Sequence, residues 1–151
     1  MLNYITDLAK VLENYEVEYL IIGKGAAILY GYPGTTQDID IYPKKEKNNC
    51  MKLIEALKHL QFVLDEALEK AIMAGMDFIQ IRGGPFPLDI IFAPDGIESF
   101  DKARKRRTLI DNRYPCASMK DIIASKRAAK RQRDIEELPR LELFMKELQE
   151  R

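Results

Sequence analysis

The chain has 151 residues, about the size of one domain, and no repeat, low-complexity run or obvious linker divides it, so one domain over 1–151 is expected. Hydrophobic residues make up 46% and charged residues 32%, enough for a core under a well-solvated surface, and no apolar run approaches the ~20 residues of a membrane span. The formal net charge is +0, but it is unevenly spread: residues 1–100 hold nine Lys and Arg against fifteen Asp and Glu, and residues 101–151 hold fifteen against nine. Between residues 102 and 133 there are twelve basic residues and only two acidic ones, Asp111 and Asp121. An acidic first part and a basic last third suit either a polyanion bridged by metal or a solvated basic face. The opening residues MLNYITDLAK do not read as a secretory leader. Cys50 and Cys116 are too few and too far apart for a metal cluster or a disulfide framework, so two reduced thiols in a cytoplasmic protein are expected.

In chain order, Leu2, Ile5, Leu8, Ala9 and Leu12 recur at helical spacing and predict an amphipathic helix over 3–15. Residues 17–23, VEYLIIG, predict a buried strand ending at Gly23. Residues 25–30 predict a short helix stopped by Gly31, followed by a turn at Pro33-Gly34 and a second strand over 35–42 closed by Pro43. Residues 44–58 predict a helix with Met51, Ile54 and Leu57 inward, and 62–64 a short strand. A helix over 66–73 stops at Gly75. MDFIQIR (76–82) and FPLDIIF (86–92) then predict antiparallel neighbours about a Gly83-Gly84-Pro85 turn. A helix over 97–105, short strands over 107–110 and 113–116, and a helix over 119–131 capped by Ser118 with Asp121 follow. A last helical pattern spans 134–148, with Pro139 expected to break or restart it. Met51, Met73 and Met76 read as packing residues, Tyr30 and Tyr32 as core or pocket wall, and His59, the one histidine, as a surface residue. The fold class is α/β (α+β): a short mixed sheet flanked by helices over about 1–116, with helices over about 117–151 closing on it.

The chemistry concentrates in acids set among apolar residues. Asp38 and Asp40 are two apart in the second strand, so both should point to one face while Ile39 and Ile41 point to the other. Asp89 sits alone in PLDII, where a carboxylate is costly unless paired with an arginine or bound to a cation. If the strands of Asp40 and Asp89 are neighbours, three carboxylates converge on one face and form a site for Mg²⁺ or Mn²⁺ suited to phosphoryl transfer.

This pattern resembles the nucleotidyltransferase (DNA polymerase β-like) superfamily: an apolar residue and glycine (Ile22-Gly23), a spacer, an apolar-flanked Asp-x-Asp (Asp38-Ile39-Asp40-Ile41) and a later acid on a neighbouring strand (Leu88-Asp89-Ile90). Gly31-Tyr32-Pro33 before Thr36-Gln37-Asp38-Ile39-Asp40, and Lys126-Arg127-Ala128-Ala129 before Arg133-Asp134, resemble small stand-alone prokaryotic members, including AbiEii-type toxin nucleotidyltransferases. The likeness covers roughly residues 17–140. It implies transfer of a nucleoside monophosphate from an NTP to a hydroxyl on RNA (a tRNA end, for instance), a protein or a small molecule, with an antitoxin as a further partner and no membrane. It implies that Asp38 and Asp40 ligate the metals holding the triphosphate, and that Asp89 completes the second metal site and helps deprotonate the acceptor. It further implies that Gly23 lets the backbone approach the phosphates, and that Lys126 faces the β/γ-phosphates or the acceptor. By helical spacing, Lys130 and Arg133 fall on nearly the same stripe as Lys126 if the helix runs that far, and would add to the same basic wall. Thr36 is a lesser nucleotide contact. Lys24 stands where the superfamily has Gly or Ser; it either supplies a charged contact, swings aside or blocks the nucleotide. Gly34 likewise stands where an arginine is often found. The alternatives to an enzyme are a nucleotidyltransferase-fold binding protein without turnover, such as a toxin–antitoxin component, and an RNA-binding protein using the basic stretch.

Overall fold

The computed structural model describes residues 2–151, apart from the side chain of Leu2, so the expected inward position of that side chain lies outside the described residues. The elements run α1 (Leu2–Asn14), β1 (Tyr19–Ile22), α2 (Gly23–Leu29), β2 (Ile39–Pro43), α3 (Lys47–His59), α4 (Glu66–Ala74), β3 (Phe78–Ile81), β4 (Leu88–Ile91), α5 (Phe100–Lys105), β5 (Thr108–Ile110), β6 (Tyr114–Cys116), α6 (Met119–Ala129) and α7 (Gln132–Gln149). The strands form one six-stranded mixed sheet in the order β3-β4-β2-β1-β6-β5. Two hairpins, β3–β4 and β5–β6, form its flanks, and β1 and β2 pair antiparallel at its middle. The joins between these units are parallel, β2 to β4 and β1 to β6.

The apolar patterns explain the layers. In α1 the side chains of Ile5, Leu8, Ala9 and Leu12 are buried, three to four residues apart on one stripe. β1 is buried at all four positions, as a central strand must be, whereas the edge strand β3 alternates exposed and buried. Ile39, Ile41, Leu88 and Ile90 pair across β2 and β4 and are all but inaccessible. α4 stops at Gly75, which takes the left-handed conformation at φ 64° that a helix C-cap favours in glycine. Among the described residues no helix is long and apolar enough to cross a membrane.

Several expectations change. The second strand begins at Ile39, not residue 35, because β1 ends at Ile22 and β4 begins at Leu88, leaving 35–38 without a ladder partner. Residues 62–64 form no strand; Val63 makes one backbone bond, to Gly83. Met51 and Met76 are 47% and 55% exposed, and Leu53 takes the inward place on α3. α6 ends at Ala129 because Lys130 turns left-handed (φ 56°), so the helix stops short of 131. α7 then runs unbroken through Pro139, anchored by buried Asp134 before the proline and by Leu141 and Phe144 after it.

Candidate active site

The site is built at the end of β1. Ile22 pairs with Asp40 of β2, and Asp40 pairs in parallel register with Asp89 of β4, so three adjacent strands place two carboxylates side by side on one face. Directly after Ile22 the chain turns into α2 through Gly23, whose φ is +69°. A Cβ at Gly23 would stand 2.5 Å from Oδ2 of Asp40. Position 23 is therefore glycine for two reasons: the backbone is left-handed, and the carboxylate occupies the space a side chain would need.

The electrostatics follow from that crowding. Burial first, then the neighbouring Asp89 and Asp38, push the Asp40 carboxyl up from 3.8 to about 7, with Lys126 pulling the other way. Asp89 is 7% exposed and accepts a hydrogen bond on Oδ1 from Nη1 of Arg82 at 3.0 Å. Asp38 lies one residue before the strand and is exposed, so it contributes charge to the cluster from the lead-in segment. Among the described residues no three His, Cys, Asp or Glu side chains stand in positions that could hold a metal ion. The expected convergence of three carboxylates on one sheet face is thus met by two: Asp40 and Asp89 are ladder neighbours, and Asp38 stands outside the sheet.

The other expected residues divide. Thr36 donates its hydroxyl to the Asp38 carbonyl at 3.2 Å, fixing the lead-in, and its methyl lies 4.0 Å from where a Cβ on Gly25 would stand. Lys24 swings toward the Pro33-Gly34 turn, with Cε and Nζ at 3.3 and 3.7 Å from where a Cβ on Gly34 would stand. Lys126 sits near Asp40, as its influence on that carboxyl shows, yet its Nζ is also held by Asp134 Oδ1 and Glu137 Oε2 of α7, both at 3.5 Å. Lys130 does not join it: the left-handed cap takes Lys130 off the α6 stripe and into solvent. Arg133 belongs to α7 and is exposed, so the expected three-residue stripe does not exist.

Two positioning contacts escaped the sequence. Arg82 reads in the sequence as the last residue of the strand 76–82, and the expected pairing of Asp89 with an arginine names no particular one. Asp134 is wholly buried and holds both Lys126 and Arg131, the latter at 2.6 Å from Nε to Oδ2. Burial raises the Asp134 carboxyl, but those two cations outweigh it and hold the carboxyl below its ordinary value. Of the twelve basic residues over 102–133, Arg106, Lys126, Arg127 and Arg131 are engaged in ion pairs within the fold.

No protein-family model and no curated protein matches the chain. Among solved structures, the chain is similar to a protein from Thermotoga maritima solved as a candidate nucleotidyltransferase, with 15% identity and a TM-score of 0.55. The match covers 99% of this chain and 93% of that one. The likeness assigns the fold: a nucleotidyltransferase-like mixed sheet flanked by helices, with a helical C-terminal part.

Proposed function

We propose that the protein is a metal-dependent nucleotidyltransferase that moves a nucleoside monophosphate from an NTP to a hydroxyl acceptor on RNA, a protein or a small molecule. The observation that carries this reading is the in-register pairing of Asp40 with Asp89, with Gly23 cleared of a side chain beside it. Two adjacent carboxylates crowd into one oxygen-rich site, and burial and that crowding raise the Asp40 carboxyl to about 7. Such a donor set fits Mg²⁺ or Mn²⁺ rather than a softer metal. Asp38, exposed at the lead-in, would turn inward to join Asp40 and Asp89 in holding the ion. A bound divalent ion supplies charge neutralisation for the triphosphate and acidifies the attacking hydroxyl.

The chain's own groups do the rest. In the transfer, the acceptor oxygen bonds to the α-phosphorus, the bond from that phosphorus to the β-phosphate oxygen breaks, and pyrophosphate leaves. Asp89 takes the proton of the acceptor hydroxyl, which requires Arg82 to release its oxygen. Gly23 leaves its backbone open to the phosphates. Lys126 exchanges Asp134 and Glu137 for the β/γ-phosphates, and Thr36 holds the Asp38 segment against the nucleotide. Lys24, drawn to Gly34, leaves room at the position where the superfamily carries a small residue.

A second reading is a nucleotide- or partner-binding protein without turnover, such as a toxin–antitoxin component of the AbiEii type. The Arg82–Asp89 ion pair favours it, because the guanidinium already neutralises an oxygen that the metal would use. Incubating the protein with each labelled NTP, Mg²⁺ or Mn²⁺ and total RNA, beside an Asp38→Ala/Asp40→Ala control, separates the readings. Label transfer confined to the wild type supports the enzyme. Metal-dependent NTP binding without transfer supports the binding protein, and neither activity in the wild type removes both.

A further inference from the structure

A cavity of about 220 Å³ lies at the other end of β1, where Tyr19 rather than Ile22 faces it. Side chains alternate along the strand, so Tyr19 also points to the face opposite the one that carries Asp40. Arg104, Arg107 and Arg113 line this cavity, together with Glu13 and Glu18. None of these three arginines is ion-paired among the described residues, although Arg106 between them is held by both Asp121 and Glu98. Arg107 gives one guanidinium N–H to the backbone carbonyl of Arg104 at 2.9 Å, which fixes the Arg107 side chain against α5. Arg113 arrives on the β5–β6 turn, where Asp111 and Asn112 are both left-handed and Arg113 N bonds to the Ile110 carbonyl.

The second observation is Tyr19 itself. Only 7% of it is exposed, and its hydroxyl is the buried side-chain polar atom without a hydrogen-bond partner among the described residues. An orphaned buried hydroxyl costs stability and calls for an acceptor. Burial also holds this phenol protonated, so it is a donor. Three guanidinium groups outside any ion pair line a space large enough for a small oxyanion, and Tyr19, with its enclosed O–H donor, lines the same space.

We propose that this cavity binds a terminal phosphoryl group, either an inorganic phosphate ion or the phosphate of a monoester, with Tyr19, Arg104, Arg107 and Arg113 as its donors. Guanidinium forks match the spacing of phosphate oxygens, and the doubly charged form suits several cations at once. The enclosed hydroxyl requires the anion to enter end-on, which a phosphodiester inside a polymer does not do. Glu13 and Glu18 also line the cavity and repel a long polyanion, so a single phosphoryl group is favoured over a nucleic-acid backbone.

The test is calorimetric titration of the metal-free protein at constant ionic strength with inorganic phosphate, methyl phosphate and dimethyl phosphate. Saturable binding of the first two and none of the third is expected; binding of phosphate alone narrows the ligand to the free ion, and of methyl phosphate as well extends it to monoesters. Arg104→Gln and Arg113→Gln should each weaken binding about tenfold, the loss of one charge-assisted contact. Tyr19→Phe should weaken binding severalfold while raising the urea midpoint, because it deletes the orphaned hydroxyl; a purely structural tyrosine would not give these opposite signs. The Asp38→Ala/Asp40→Ala protein should bind phosphate as the wild type does, which keeps this site separate from the carboxylate site. No saturable binding, binding unchanged in both arginine variants, equal affinity for dimethyl phosphate, or displacement of phosphate by an RNA oligonucleotide without a terminal phosphate would overturn the proposal.

Discussion

Gly23 and Asp40 constrain each other. A methyl group at position 23 would meet Oδ2 of Asp40 at 2.5 Å and would also sit on a backbone with φ +69°. The left-handed conformation alone costs an L-residue about 1–2 kcal/mol, and the collision adds to it. Gly23→Ala should therefore destabilise the protein by about 2–4 kcal/mol in urea unfolding, and by only about 1–2 kcal/mol in an Asp40→Ala background, where the collision is gone. The Asp40 carboxyl makes a second prediction. Its native pKa of about 7 lies above its ordinary 3.8, so the folded state binds the proton more tightly than the unfolded state. The stability this gives is fully present below about pH 4 and is lost as pH rises toward 7, a change on the order of 3 kcal/mol. Urea titrations of metal-free protein across that range should show the fall. Asp40→Asn should flatten it, and millimolar Mg²⁺ should reduce it if an ion takes the place of the proton.

At the scale of the elements, α7 carries a proline eight residues into its length. Pro139 has no N–H to give to the carbonyl four residues back, and in a helix interior proline costs about 3 kcal/mol relative to alanine. Position 139 is exposed, so Pro139→Ala should raise the thermal midpoint without disturbing the core, checked by calorimetry. The same helix shows where sequence reasoning reaches and where it stops. Apolar patterning located every strand and helix and added one strand, over 62–64, that does not form, because period-2 and period-3.6 burial are written locally whereas pairing is not. Residues 35–38 read as strand because their own pattern allows it, but pairing needs a neighbour, and the end of β1 removes it. Lys126, Lys130 and Arg133 were placed on one stripe by spacing alone. The stripe failed at a single left-handed residue, Lys130, whose conformation has no glycine to announce it. The pairing of Asp40 with Asp89 was legible because each acid interrupts an apolar strand, whereas the hold of Asp134 on Lys126 was not, because it depends on how α7 folds back on α6.

At the scale of the whole molecule, the core runs through five of the six strands, touches β5 at half-buried Ile110, and extends into every long helix, and both cysteines lie inside it. Cys116 is wholly buried in β6 with its thiol pushed up to about 12 by burial, and Cys50 is buried on α3 with its thiol raised for the same reason. Neither has a disulfide partner. A thiol reagent should therefore label both only as fast as the core opens, and addition of reductant should leave the thermal midpoint unchanged; rapid labelling of either in the native protein would show that part of the sheet opens on its own.

The parallel join of β2 to β4 also sets how the carboxylate pair comes into being. Asp40 and Asp89 are ladder partners, yet the whole of α3, α4 and β3 intervenes between them. Closing so long a loop has an entropic cost that is met before any contact rewards it. Where both acids are ionised, that same closure brings like charges together. The folding barrier and the candidate active site thus share one event: refolding of metal-free protein should slow as pH climbs from about 4 toward 7 and level off above it, quicken when Mg²⁺ is present in the refolding buffer, and lose both dependences in Asp40→Asn, as stopped-flow measurements would show.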